Sequence, residues 1–134
     1  MIIQNGIGEG ELARGCFITT YMFKIDDVGT ALCSMSFFGQ IVSMEQFGDA
    51  AAALSMANAT RYGLAASVYT ADLNRSMRMG RKLKFGTVWM NCHNRLLAEV
   101  ETGGYRESGV GRLHGIEAMN DFLETKHVYL EAES

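Results

Sequence analysis

Alternating apolar and polar stretches divide the 134-residue chain into short strands and helices. Two β-branched and aromatic runs, residues 16–23 (CFITTYMF) and 37–47 (FFGQIVSMEQF), predict the first two strands, because such side chains pack well on a pleated surface. Residues 64–69 predict a further short strand, and residues 87–91, a short run bounded by Gly86 and a polar residue, predict a buried strand. Residues 127–130 predict a last strand.

Helices are predicted between these strands. Asp49 is the predicted N-cap of a helix over residues 50–59, and Gly63 is its predicted left-handed stop. A second helix is predicted over residues 72–83, with an inward face made of Leu73, Met77 and Gly80. Its solvated face is basic and comprises Arg75, Arg78, Arg81 and Lys82. A third helix is predicted over residues 115–124, with one apolar side made of Ile116, Met119 and Leu123.

This alternation predicts an α/β fold, with a mostly parallel sheet flanked by helices. The length lies near the commonest domain size, so a single domain over residues 1–134 is expected. The Gly-rich, polar residues 1–15 predict an opening loop. A loop of about twenty residues after residue 91 is long enough to indicate a functional role.

Composition narrows the class of partner. The formal charge of −3 provides no basic surface for a phosphate backbone, so nucleic acid is not an expected partner. No apolar run approaches the roughly 20 residues that span a bilayer, and the start lacks the features of a signal peptide. The three cysteines are Cys16, Cys33 and Cys92; their wide spacing fits reduced thiols. A soluble, cytoplasmic protein without membrane partners is therefore expected.

Spacing alone offers only weak candidates for chemistry. The glycines of residues 109–115 (GVGRLHG) precede a predicted helix, but no buried strand leads into them, which favours a structural loop over a phosphate site. Cys92 and His93 are adjacent, and adjacent side chains leaving a strand point to opposite faces unless the backbone turns. Glu99 and Glu101 are interpreted as solvated rather than as proton carriers. The histidines match no metal-binding spacing, so no metal is expected.

Several ordered motifs nevertheless resemble the C-terminal part of the NAD(P)-dependent aldehyde dehydrogenase family. They are residues 57–91 (ANATRYGLAASVYTADLNRSMRMGRKLKFGTVWMN), 103–115 (GGYRESGVGRLHG) and 122–128 (FLETKHV), together with GCFITTYMF near the start. The last third is most similar to betaine-aldehyde-dehydrogenase-like members. The resemblance runs colinearly over most of the chain, and such a string of ordered motifs is highly specific.

The resemblance implies a reaction and the place of this chain in it. In the family a cysteine thiolate attacks the aldehyde, hydride passes to NAD or NADP, and a glutamate activates the water that releases the acid. The nucleophilic cysteine, the general-base glutamate and the Rossmann-type domain belong to segments upstream of anything matched here. The expectation is therefore an oxidoreductase fragment with no catalytic residue of its own, inactive alone. Binding of NAD or NADP by this chain alone is not expected.

The resemblance also implies site residues. The family's EEIFGP motif matches residues 35–40 (MSFFGQ), which makes Phe38 and Ser36 the cofactor-binding candidates, with Ser36 replacing the carboxylate that holds the nicotinamide ribose. Two family prolines are replaced, by Thr20 and Gln40. The loop after TVWMN lines the substrate entrance in relatives, and the substrate-channel candidates are His93, Leu96 and Thr102. In the same loop Glu101 replaces a usual proline, and Thr102 a usual phenylalanine.

Two further hypotheses concern assembly and catalysis. In relatives the strand matched by residues 127–134 joins a neighbouring subunit's sheet, so a homo-oligomer through an exposed sheet edge and this C-terminal strand is expected. The alternative function is a non-catalytic binding or assembly module that docks on itself or on a full-length aldehyde dehydrogenase. A third hypothesis is an active enzyme that supplies its own thiol, for which Cys92 is the candidate.

Overall fold

In a computed structural model, short helices and paired strands follow one another along the chain. The structure describes residues 10, 14–26 and 30–132, and these divide into two compact units, residues 1–60 and 61–134. Each unit contains a pair of parallel strands together with helices, which confirms the predicted α/β class. Among the helices of this described part, none combines the length and the apolar composition that crossing a bilayer requires.

The first unit is built on a parallel pair of strands. Strand β1 (Tyr21–Ile25) lies beside β2 (Ile41–Glu45), with Tyr21 opposite Ile41 and Ile25 opposite Glu45. A one-turn helix that the pattern did not predict, α1 (Ala31–Ser34), lies between them in sequence. Most of the predicted opening loop, residues 1–15, lies outside the described residues.

Both strands of this unit are shorter than predicted. Pairing starts at Tyr21, whose N–H donates to the carbonyl oxygen of Gln40 at 2.8 Å, five residues after the expected start at Cys16. Residues 16–20 are described but belong to no strand. A run of β-branched residues shows which residues can form a strand. Which of them do so depends on where the neighbouring strand provides backbone hydrogen bonds.

The helix α2 (Ala50–Asn58) follows the prediction closely. The carboxylate of Asp49 accepts the N–H groups of Ala51 and Ala52 at 2.9 and 2.8 Å, which confirms Asp49 as the N-cap. The predicted left-handed stop at Gly63 is wrong. The helix ends at Ala59, and Gly63 is a buried residue of the strand β3 (Tyr62–Gly63), where a ladder partner fixes its conformation.

The second unit contains a β–α–β segment with two parallel strands. Strand β4 (Ala65–Val68) is followed by helix α3 (Leu73–Lys82) and by the parallel strand β5 (Thr87–Met90), with Ser67 opposite Trp89. The short β3 pairs antiparallel with β6 (Tyr105–Arg106). The strand β6 therefore interrupts the long loop that the sequence predicts after residue 91.

The inward face of α3 differs from the predicted one. Met79 and Leu83 are each 8% exposed and Ser76 is 3% exposed, whereas Leu73 is 73% and Met77 is 44% exposed. The contact with β5 explains the difference, because the Ser76 hydroxyl donates to the sulfur of Met90 at 2.8 Å and the Met90 methyl group lies against Gly80. The predicted solvated face is confirmed, since all four of its cationic side chains are exposed.

The C-terminal elements are weaker than predicted. The expected helix over residues 115–124 is a 3₁₀ helix, Glu117–Phe122, and its predicted apolar side is exposed at Ile116, Met119 and Leu123. The expected strand over residues 127–130 does not form, since residues 123–132 contain neither helix nor strand. These apolar side chains are exposed among the described residues of the second unit, so neither element gains there the packing that stabilises regular structure.

Candidate functional site

The loop that follows β5 turns sharply at its first residue. Asn91 and Asn94 have φ angles of 54° and 53°, in the left-handed region that asparagine tolerates better than most residues. The Asn91 side chain is held at both ends, because its Oδ1 accepts the N–H of Thr70 at 2.8 Å and its Nδ2 donates to the Thr70 carbonyl oxygen at 3.0 Å. The turn is therefore fixed to the end of the neighbouring strand β4.

After this turn the His93 side chain forms a hydrogen bond with a serine on β4 and not with the thiol of Cys92. The Nδ1 atom of His93 lies 2.8 Å from the hydroxyl oxygen of Ser67. The imidazole and the Trp89 ring form a T-shaped pair, with centroids 5.1 Å apart and planes inclined by 66°. Ser67 could not be recognised from local spacing, because it lies 26 positions from His93; the parallel register that places Ser67 opposite Trp89 is the signal that could have indicated it.

Leu96 lies further along the same loop. The indole N–H of Trp89 donates to the carbonyl oxygen of Arg95 at 2.8 Å, which ties the backbone next to Leu96 to strand β5. The Leu96 side chain is half exposed. The structure therefore places His93 and Leu96 on one anchored loop.

Thr102 is fixed by a separate pairing. Its N–H donates to the carbonyl oxygen of Leu113 at 2.8 Å, and the Leu113 N–H donates back to Thr102 at 2.7 Å. Its hydroxyl oxygen lies 3.1 Å from Nδ1 of His114. His114 and Gly115 both have positive φ angles, 62° and 60°, so the chain reverses direction directly after this pairing.

The Glu101 side chain contacts the segment in which the chain reverses direction. Its carboxylate lies against Gly115, where a Cβ would overlap it, and its Oε1 accepts the N–H of Glu117 at 3.5 Å. Hydrogen bonds from its own backbone N–H, then from Glu117 and Ile116, lower the pKa of Glu101 below its usual value. Glu101 is therefore partly buried, and its carboxylate accepts hydrogen bonds from backbone N–H groups. Glu99 is exposed, as expected.

The backbones of Gly86 and Gly103 approach each other closely, which explains why position 86 is a glycine. A Cβ on Gly86 would overlap the carbonyl oxygen of Gly103 and lie 2.8 Å from its carbonyl carbon. The N–H of Gly86 donates to the carbonyl oxygen of Gly63 at 3.0 Å, which leaves Gly86 little room to move. The start of β5 and the GGY segment can meet here only without side chains, and this favours the structural interpretation of the loop.

The remaining candidates lie in the first unit. Ser36 is exposed and the Phe38 ring is fully exposed. One serine hydroxyl offers a ribose fewer contacts than a carboxylate with two oxygens. A fully exposed ring has no neighbouring wall with which to enclose a nicotinamide. These two residues alone therefore do not fit the NAD or NADP site that the resemblance implies.

The three thiols, which are the candidate nucleophiles of the chain, lie in different environments. The half-buried Cys33 donates to Oε1 of Glu45 at 3.3 Å, and its sulfur lies 3.5 Å from the Thr30 hydroxyl oxygen. Cys16 is exposed, and Cys92 is half-buried beside a histidine that is bonded elsewhere. In the described part of the chain no group of three histidine, cysteine or acidic side chains is placed to hold a metal ion.

Comparison with known proteins now identifies the class. The aldehyde dehydrogenase family model matches residues 2–128, so the chain belongs to the aldehyde dehydrogenase family. Acetaldehyde dehydrogenase of Pseudomonas aeruginosa is 40% identical over 120 residues, 90% of this chain and 24% of that protein. Betaine aldehyde dehydrogenase 1 of Rhizobium meliloti is 33% identical over 130 residues, 97% of this chain and 27% of that protein.

Solved structures agree. The crystal structure of a betaine aldehyde dehydrogenase double mutant from Staphylococcus aureus, in complex with NAD+, matches with a TM-score of 0.86 and 34% identity. The match covers 90% of this chain and 24% of that one. The chain thus spans about a quarter of the length of the relatives it matches.

Proposed function

We propose that this chain forms the C-terminal part of an aldehyde dehydrogenase, where it shapes the aldehyde entrance and does not supply the nucleophile. The observation that carries the proposal is the anchored loop after β5 in a chain of this family. Its first residues are tied to β4 through Asn91 and Ser67, and its far end is tied to Leu113 through Thr102.

Each candidate has a distinct part in this entrance. Leu96 provides apolar surface, and each Å² of hydrocarbon that it covers contributes about 25 cal/mol. Thr102 offers less apolar surface than the phenylalanine usual in the family, so the entrance favours short or polar aldehydes. His93 provides an imidazole whose orientation is set by Ser67 and Trp89.

The environments of the thiols support inactivity of the isolated chain. A reactive cysteine needs a base or a cation that stabilises its thiolate. The hydrogen-bond partners of Cys33 are the Glu45 carboxylate and the Thr30 hydroxyl, neither of which is a cation. Cys92 lacks its adjacent base, because Nδ1 of His93 is bonded to Ser67. NAD or NADP is proposed to bind only where further parts of the enzyme complete the surroundings of Ser36 and Phe38.

The test is oxidation by the purified 134-residue chain. Acetaldehyde and betaine aldehyde are supplied with NAD+ or NADP+, and reduced cofactor is followed by absorbance at neutral pH. No turnover above the blank is expected. Turnover that Cys92→Ser abolishes and Cys16→Ser leaves intact would contradict the proposal, because Cys92 would then be the nucleophile.

Assembly is proposed as a second function, because large apolar side chains are exposed near the C-terminal end. They include Val110, Ile116, Phe122, Val128, Tyr129 and Leu130. Monomeric proteins rarely leave such groups uncovered, so we propose a homo-oligomer or docking on a full-length aldehyde dehydrogenase. Light scattering after size exclusion tests this, and a monomer at high concentration that also fails to bind the Pseudomonas relative would contradict it.

The proposed location is the cytoplasm, where the three thiols stay reduced.

A further inference from the structure

Two contacts hold the imidazole of the exposed His93, and two further hydrogen bonds fix the loop around it. Ser67 bonds its Nδ1, Trp89 contacts its ring, and Asn91 fixes the turn that leads to it. Trp89 is itself anchored through its indole N–H to Arg95, two residues after His93. The loop is thus tied to the β4–β5 pair on both sides of His93.

Among the described residues, Nε2 of His93 has no hydrogen-bond partner, and the His93 side chain is exposed. The same holds for Ser67, whose hydroxyl has no bond to a described residue other than His93. One nitrogen of this exposed side chain is therefore bonded to Ser67, and the other has no hydrogen bond to a described residue.

The smaller exposure of Ser67 relative to His93 favours one direction of the bond between them. A hydroxyl carries one hydrogen, and a neutral imidazole carries one N–H. If the imidazole donated, the unused donor would be the hydroxyl hydrogen of the half-buried Ser67. If Ser67 donates to Nδ1, the unused donor is the Nε2–H of the exposed His93, which water or a ligand can satisfy. The second arrangement avoids an unsatisfied donor and is favoured.

We propose that Ser67 is a positioning residue: its hydroxyl donates to Nδ1 of His93, fixes the ring as the Nε2–H tautomer, and aims Nε2–H at an oxygen of the aldehyde substrate. The assignment of the ligand rests on the proposed function, whereas the assignment of the tautomer does not. The substrate class is aldehydes with an oxygen acceptor, either the carbonyl itself or a hydroxyl near it.

The experiment is nitrogen NMR of the histidine side chains in the full 134-residue chain, above the pH at which the rings are protonated. His93 is expected to show Nε2 protonated and Nδ1 unprotonated. In Ser67→Ala the two nitrogen shifts should move towards the averaged values of His127, and Ser67→Thr should restore them because threonine keeps the hydroxyl. The amide spectrum of residues 65–68 shows whether each variant keeps β4.

A matched control is available in the same unit. Thr102→Val removes the other hydroxyl that lies beside a histidine, so it should change His114 and leave His93 unchanged. A wild-type His93 with Nδ1 protonated, or with the same shifts as in Ser67→Ala, would overturn the proposal. So would failure of Ser67→Thr to restore them in a variant whose β4 amides are intact.

The ligand is tested with 2-hydroxyacetamide, an unreactive compound with two oxygen acceptors. At millimolar concentration it should shift Nε2 of His93 in the wild type and in Ser67→Thr, but not in Ser67→Ala. No shift in any of the three would overturn the assignment of the ligand. The oxidation assay of the proposed function does not report on His93, so failure of either idea is recognised separately.

Discussion

Replacing Gly86 with alanine should disturb the backbone contact that holds the GGY segment beside β5. The new Cβ would overlap the carbonyl oxygen of Gly103, which is a backbone atom and cannot rotate away as a flexible side chain can. To make room, Gly103 must move and carry Thr102 with it, or Gly86 must move and weaken its bond to Gly63. Either change reaches the candidate entrance.

The size of the effect follows from three terms. Overpacking of a well-packed contact costs roughly 1–3 kcal/mol. A weakened hydrogen bond adds about 1 kcal/mol. Replacing glycine reduces the entropy of the unfolded chain and returns roughly 0.4–1 kcal/mol. We therefore expect Gly86→Ala to lower the free energy of unfolding by about 2 kcal/mol, which is a large share of the stability of a small domain.

Urea unfolding followed by far-UV circular dichroism measures this difference. Gly109→Ala is the matched control, because a Cβ there would lie 3.6 Å from the nearest atom, an ordinary contact distance. The control should stay within about 0.5 kcal/mol of the wild type or be slightly more stable. Equal stability of the two variants would refute the inferred backbone contact.

Three further predictions concern the rest of the chain. Asp49→Ala should lower the stability of the first unit by about 1 kcal/mol, as measured by urea unfolding, because two N–H groups of α2 lose their acceptor; a smaller loss is expected for Asp49→Asn. The folded pKa of Glu101 lies below its usual value of 4.5, so its stabilising effect is present above that pH and is lost as the pH falls through the folded pKa. NMR should show the Glu117 N–H losing its hydrogen bond to Glu101 as the pH falls through this acidic range. Glu101→Gln should make the shift of the Glu117 amide independent of pH there. The same pH dependence of this amide in both proteins would count against the hydrogen bond. Calorimetric titration of NAD+ into the chain should show no saturable binding, and micromolar affinity would show that Ser36 and Phe38 suffice.

Local rules predicted the elements whose causes are local. Asp49 and the helix after it were found because an N-cap acts within three residues of itself. The β4–α3–β5 segment was found because its apolar runs are bounded by polar residues or glycine. The family resemblance required only ordered motifs, and the match over residues 2–128 bears it out.

Features that depend on distant partners were not predicted. The inward face of α3 is set by Met90, ten residues after Gly80, and not by the spacing of Leu73 and Met77. The conformation of Gly63 is set by its pairing with Tyr105 in β6. The Ser67–His93 pair needs both the parallel register and the left-handed turn at Asn91, neither of which the pattern of apolar residues contains.

The measurement that tests the central claim most directly is the activity of a segment exchange. The part of Pseudomonas aeruginosa acetaldehyde dehydrogenase that matches this chain is replaced by the corresponding residues of this chain, and oxidation of acetaldehyde with NAD+ is compared with that of the intact relative and of the 134-residue chain alone. We predict that the exchanged enzyme oxidises acetaldehyde and that the chain alone does not. A well-folded exchanged enzyme without activity, or an active isolated chain, would contradict the account.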